Sequence, residues 1–230
     1  MREARSFLRA LQIADGTLPI GRFAHSYGVE TWLDAHPDSG PEDLRELVRS
    51  TLAGSLATLD GAAVALAHAA ASDADLDRLR AIDAALTACK LSRPARDAST
   101  LCGRQLADLA GRLALGGLAG RVSGEIDAGA MPGNLAVVEG VVGSAMEIAR
   151  DETVLIAVRG HAAAMLSAAV RLGRLGTTRS QALLYELGPD LEDCAAVASG
   201  VRLGDLRATL PELEIHAARH AHREVRQFIS

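Results

Sequence analysis

Aromatic residues are scarce in this chain of 230: three Phe, two Tyr and one Trp, 3% of positions, although 49% of residues are hydrophobic. A core without rings must be assembled from small aliphatic side chains, and 44 Ala and 33 Leu supply them. Both residues rank at the top of the helix scale, while the β-branched and aromatic strand formers are sparse. Composition therefore points to an all-α fold.

Lysine is scarcer still. Of 24 basic residues, Lys90 alone is Lys, and it sits in Ala88-Cys89-Lys90-Leu91 with no Gly before it. A P-loop needs Gly-Lys-Ser/Thr so that an ammonium reaches the β and γ phosphates, so a Walker-type nucleotide hydrolase is excluded. A Schiff-base enzyme would have to rest on one residue, and the GxSxG and HExxH motifs are missing. The three cysteines, Cys89, Cys102 and Cys194, form neither an even disulfide set nor a CxxC or zinc-type spacing. That fits a reducing compartment and reads as small core residues. Residues 1–14 lack the continuous apolar region of a signal peptide. The longest apolar stretches, 61–71 and 135–149, are too short for a membrane span or are broken by Glu139 and Glu147. With a net charge of -5 and scattered basic residues, a nucleic-acid footprint is not expected either. The expectation is a cytoplasmic protein without membrane or nucleic-acid partners.

What is present is helical periodicity. From Glu42 onward Leu44, Leu47, Val48, Leu52, Leu56, Leu59, Ala63 and Leu66 recur at three- and four-residue steps, predicting a long helix with one buried stripe and Pro41 in its first turn. Leu79, Ile82 and Leu86 predict a second helix from about Leu76 to Lys90, and Ser92 a restart leading to a third that ends at Gly116-Gly117. Residues 116–134 hold six glycines and Pro132 and read as the longest loop. Helices follow over 135–149, after a cap at Asp151, from Thr177 or Thr178 to the Gly188-Pro189 pair, over 191–201, and from about Pro211 to the end. Gly140 and Gly143 interrupt an otherwise good helix and predict a close neighbour there. With no linker or repeat in the chain, the length suits one helical bundle over 1–230.

Three constellations could carry function. On the C-terminal helix, His216 and His220 are four residues apart, a spacing that can chelate nickel or zinc, with His222 pointing elsewhere. The alternative is a solvated polar helix, because HxxxH lacks the further ligands of a tight site. Around residues 14–32, Phe23, Tyr27 and Trp32 flank His25, Ser26 and Glu30. Ser26 beside His25 would make a poor nucleophile pair, since adjacent side chains diverge and no orienting acid can be named. Packing or partner contact suits them better. Arg171, Arg174, Arg179 and Arg202 fit either an arginine finger or ordinary surface charge.

The run Leu11-Gln12-Ile13-Ala14-Asp15-Gly16-Thr17-Leu18-Pro19-Ile20-Gly21, followed by Phe23-Ala24-His25-Ser26-Tyr27-Gly28-Val29-Glu30, resembles the opening signature of the urease accessory protein UreF family. Ser167-Ala168-Ala169-Val170-Arg171-Leu172-Gly173-Arg174-Leu175-Gly176-Thr177-Thr178 with Gln181 is similar to its middle motif, and Arg219-His220 with Arg226, Phe228 and Ser230 to its closing one. The departures are Arg174 for a usual Pro, Ala221 for Glu, Ile229 for Arg, and the lack of the family's usual His around Met131-Pro132-Gly133-Asn134, although Val137-Val138-Glu139-Gly140 keeps the end of that stretch.

The resemblance implies an all-α homodimer without catalysis of its own, a chaperone-like factor that helps place nickel in apo-urease. It would bridge UreD (also called UreH), docked on apo-urease, to the GTPase UreG, which carries the nickel and binds the GTP, so that this chain holds no stable cofactor. By the same resemblance, residues 1–32 and the tail 211–230 face UreD, through Pro19, Gly21, Phe23, His25, Ser26, Tyr27, Glu30, His220, Arg226 and Phe228. Arg171, Gly176, Arg179 and Gln181 belong to the UreG side or the dimer face. The alternatives are a regulator that stimulates or gates UreG, and a small nickel-binding protein using His216 and His220.

Overall fold

The computed structural model describes residues 2–209, 211–220 and 227–229. Twelve α-helices and shorter helical turns account for its regular structure, with no strand among the described residues.

Close helix approach is what an alanine-rich core permits, and the centre of the fold is built on it. Helix α4 (Gly61–Ser72) lies against α8 (Leu135–Ala145), with Ala62, Ala63, Ala67 and Ala70 of the first and Val137, Val138, Val141 and Val142 of the second buried. A Cβ at Gly140 would stand 2.5 Å from the Val64 carbonyl oxygen and 2.8 Å from the Ala67 Cβ. The close neighbour expected from the sequence is therefore α4 at Gly140 and Thr153 of the helix Arg150–Arg171 at Gly143, and these contacts offset the roughly 1 kcal/mol that each Gly costs inside a helix. Around this pair pack α5 (Leu76–Cys89), α6 (Arg93–Arg112), α9 (Arg150–Arg171) and α11 (Gly188–Gly200). Leu79, Ile82 and Leu86, the predicted stripe of α5, are fully buried. Each such side chain contributes about 1.5 to 3 kcal/mol of hydrophobic stabilisation.

The caps are local chemistry. The Asp75 carboxylate accepts from the Arg78 backbone N–H at 2.9 Å to start α5, and the Ser92 hydroxyl accepts from Ala95 at 3.2 Å to start α6. The expected cap at Asp151 is displaced: α9 is capped at Ala149, whose N–H donates to the Glu152 carboxylate at 3.4 Å, leaving Asp151 in the first turn. Helix α3 (Pro41–Thr51) carries Pro41 in its first turn and runs without a break through a π-helical stretch, Leu52–Asp60, into α4. The wider turns present the Gly54 and Thr58 carbonyls sideways, where the backbone N–H groups of Thr209 and Arg207 meet them at 2.7 and 3.1 Å. Periodicity alone, which a π stretch shifts by only one residue per turn, does not reveal this.

The expected loop over 116–134 contains helix α7 (Leu118–Asp127), which buries Ala119, Val122 and Ile126. Its glycines lie mostly at the flanks. Helix α8 stops at Ala145, where Glu147 adopts a left-handed φ of 56°. A helix missing from the sequence expectation although Phe7, Leu8 and Leu11 recur at helical spacing, α1 (Arg2–Ala14), opens the chain and is pinned by Arg9, whose guanidinium donates to the Met146 carbonyl at 2.9 Å and to Glu147 at 3.0 Å.

Two helices, Pro41–Ser72 and Arg150–Arg171, are long and apolar enough to cross a membrane by length and composition. In the fold they are core helices, with 67% and 56% of their most apolar stretches buried. The remaining elements are α2 (Val29–Ala35), α10 (Thr177–Glu186) and α12 (Pro211–His220).

Candidate functional site

The segment richest in aromatics folds into a turn with an inside and an outside. Residues Arg22–Ala24 form a single 3-10 turn. Arg22 points inward, where its guanidinium passes over Gly160, at which a Cβ would collide with it, and pairs with the Glu139 carboxylate of α8. Phe23 points outward and is 71% exposed. His25, Ser26 and Glu30 are buried beneath it, while Pro19 is exposed. Gly28 has a φ of 86°, and a Cβ there would lie 3.0 Å from the Leu213 carbonyl oxygen of α12, so this turn requires glycine both for its backbone and for the helix pressed against it.

The tail returns to this same turn. The Glu30 carboxylate accepts from the backbone N–H groups of Gln227 at 2.9 Å and Phe228 at 3.3 Å, and the Ile229 N–H donates to the Ala24 carbonyl at 2.9 Å. The Arg171 guanidinium lies 4.2 Å from the centre of the Phe228 ring, a cation–π contact, and the Gln227 side chain donates to the Arg171 carbonyl at 3.3 Å. Phe228 is buried, whereas Ile229 is exposed. Residues that the resemblance divides between two partner faces, Arg171 on one hand and Glu30 and Phe228 on the other, thus meet at one place. Arg226 lies outside the described residues.

The other expected site residues stand apart from this turn. Arg179 bridges Glu42 at 2.5 Å and Glu186 at 2.7 Å on the surface, Gly176 caps α10 with its carbonyl, and Gln181 is exposed on the same helix. Arg174, a departure from the family pattern, donates to the carbonyls of Leu33 and His36 at 3.4 Å and to that of Pro37, satisfying the C-terminal end of α2. Arg202 pairs with Asp205 at 2.8 Å. His216 is buried in α12 with its ring 6.1 Å from that of His36, and the side chain of His220 lies outside the described residues. Among the described residues no group of three or more His, Cys, Asp or Glu is placed to hold a metal ion.

Behind the turn is a cavity of about 120 Å³. Tyr27, His161, Ser55 and two ion pairs line it: Arg22 with Glu139, and Lys90, whose ammonium donates to both oxygens of Asp60 at 2.7 and 2.9 Å. The chain's single Lys is thereby a structural cation. Neither Asp60 nor His161 stands in a sequence pattern that marks it, and only the rarity of Lys could have drawn attention to this pair. Burial pushes the Glu139 carboxyl up, which the adjacent Arg22 partly offsets, and pushes the Cys102 thiol up to about 11.

The rings of Tyr27 and His161 lie 4.2 Å apart, and burial holds His161 down at about 4. An unfolded His titrates near 6.5, so the folded state binds its proton later than the unfolded one does. The sign follows. The stability that rests on neutral His161 is intact above about pH 6.5 and is lost as pH falls toward 4, by up to roughly 3 kcal/mol for a partly buried ring. Burial lowers His25 as well and acts in the same direction. Denaturant midpoints at pH 7.5, 6.0 and 4.5 are expected to fall with acidification in the wild type and to fall less in His161→Gln. Parallel curves for the two proteins would remove His161 as the cause.

A model of the family described as UreF matches residues 39–188. Proteins named "Urease accessory protein UreF" from Yersinia pestis (strain Pestoides F), Yersinia enterocolitica and Yersinia pseudotuberculosis are each 30% identical to this chain over 225 residues, 98% of either sequence. The similarity thus runs through the N-terminal turn and the central helices alike.

Proposed function

The chain belongs to the UreF family of urease accessory proteins, and from that premise we propose that it serves urease maturation as a non-enzymatic cytoplasmic scaffold, bridging UreD on apo-urease to the GTPase UreG. Nickel is then the cargo of the assembly and GTP the ligand of UreG. A homodimer of this chain would offer two such bridges.

The observation that carries this reading is the outward face of the N-terminal turn. Phe23, one of only three Phe in the chain, is left 71% exposed at the edge of a buried motif, with exposed Ile229 held one residue away. Exposed large apolar groups at the edge of a rigid motif suit a protein interface, where a few aromatic anchors supply most of the affinity. The polar members of the motif, His25, Ser26 and Glu30, support that face from below.

Phe23→Asp is expected to weaken co-purification with the cognate UreD by at least tenfold while leaving the thermal midpoint within about 2 °C, since the side chain packs on little of its own protein. Undiminished binding would sink the assignment of this face. Arg179→Ala should leave UreG-dependent GTP hydrolysis within about twofold, because that side chain is already held by two carboxylates; an arginine finger would lose orders of magnitude.

A further inference from the structure

The cavity behind the N-terminal turn, about 120 Å³, is far larger than the roughly 10 to 15 Å³ that one water needs. A well-packed core of this composition would close such a space with alanine and leucine, yet much of its wall is polar. Four charged side chains border it and cancel one another: Arg22 pairs with Glu139, and Lys90 with Asp60. Apolar replacements for buried pairs of this kind are often neutral or stabilising, so stability alone does not account for their place around a void. The uncharged groups say more. Among the described residues the Tyr27 hydroxyl, the Ser55 hydroxyl and the ring nitrogens of His161 have no hydrogen-bond partner, and all three side chains line the cavity. Tyr27 reaches it from a left-handed backbone at a φ of 54°. A bulky residue keeps that conformation only where its surroundings over-determine it, and such residues cluster at binding sites.

We propose that this cavity is a binding site for a small neutral amide of the size of urea, oriented by Tyr27, Ser55 and His161. The site belongs to the fold itself and is independent of the partners proposed above. Charge decides against an ion. The two pairs leave the site formally uncharged and His161 is neutral at pH 7, so an anion or a divalent cation would give up its hydration and meet no unpaired countercharge. Amide chemistry matches the groups left over. A carbonyl oxygen accepts from the phenol or serine O–H, while amide N–H groups donate to the unprotonated imidazole nitrogen and to the lone pairs of Glu139 that Arg22 leaves open. The space is well short of the roughly 300 to 1,000 Å³ of pockets for larger ligands, which sets the size of the guest.

The test is an NMR titration of the isotope-labelled full-length protein with urea and with acetamide, kept well below denaturing concentrations. The backbone amides of Gly28, Gly61, Ala98 and Ala136, on four sides of the cavity, should shift saturably with a Kd of about 1 to 50 mM, the range open to a ligand of so few atoms. Sodium acetate and nickel sulfate, the anionic and divalent-cation probes, should neither shift nor broaden them. Tyr27→Phe keeps the ring against His161 and removes only the hydroxyl, so it should fold and weaken urea binding about fivefold, as the loss of one hydrogen bond does. Ala98→Leu fills the space without touching a polar group and should abolish saturable shifts; if it does not fold, Tyr27→Phe decides alone. Shifts that rise linearly with urea and spread over the surface would overturn the proposal. So would undiminished affinity in Tyr27→Phe, or saturation of the same amides by acetate or Ni²⁺ in place of urea and acetamide.

Discussion

Asp83→Ala is expected to destabilise the protein by about 3 to 5 kcal/mol, a large share of the roughly 5 to 15 kcal/mol that holds a typical domain together. Asp83 lies fully buried in the middle of α5, and its carboxylate accepts from the backbone N–H of Gly133 at 2.8 Å, the N–H of Asn134 at 3.0 Å and the Asn134 side-chain amide at 2.7 Å. Alanine would strand two buried backbone donors, each costing about 1 to 3 kcal/mol, remove one of the acceptors of the Asn134 amide, which keeps the Thr87 hydroxyl at 2.7 Å, and open a void beside them. The damage would spread along the chain, because the Asn134 carbonyl accepts from Val137 and Val138 and so begins α8. Asp83→Asn should cost less, since one oxygen remains, although its amide would then face an N–H. Urea midpoints for the wild type and both variants decide the matter. Equal midpoints would mean that the turn is held by packing instead.

Asp83 also marks where sequence reading stops. The helices of the core were legible because their stripes are local: Leu79, Ile82 and Leu86 recur at helical spacing whatever they pack against, and all three are buried. The N-terminal motif was legible from its composition, since scarce aromatics concentrated in one stretch stand out against an alanine-rich chain. What was not legible depends on residues distant in sequence. Asp83 meets Asn134 across 51 positions and Glu30 meets Gln227 across 197, and nothing in either neighbourhood names the other. Helix α7 was hidden by its own glycines, which break the pattern although the helix still buries Ala119, Val122 and Ile126. The π-helical stretch was hidden for the opposite reason: its apolar residues keep a plausible helical spacing while the backbone widens. For the site, the residue types were found, but which of them face inward required the fold. His25, Ser26 and Glu30 are as polar as Arg179, yet only the last reaches the surface.

Glu139→Leu should also destabilise by about 3 to 5 kcal/mol, because it leaves the Arg22 guanidinium without its carboxylate beside the cavity. Burial works against the Arg22 charge, and it is chiefly Glu139 that more than restores it, holding the guanidinium above its ordinary range. The double variant Arg22→Met with Glu139→Leu should recover most of the loss, since replacing both members of a buried pair by apolar groups of similar size is often nearly neutral. The two outcomes together distinguish a charge effect from a volume effect: if the double variant were as unstable as Glu139→Leu alone, packing around Gly160 would be the cause. Function separates from stability at the same place. Arg22 is the inward anchor of the Arg22–Ala24 turn, whose next residue is exposed Phe23 and whose last residue receives the tip through Ala24. The double variant should therefore be stable yet bind UreD, the partner proposed above, less well than the wild type, because methionine fills the space but does not fix the turn by a directed bond. Wild-type affinity in that stable double variant would show that the turn is held by its own backbone and that the ion pair serves the core alone.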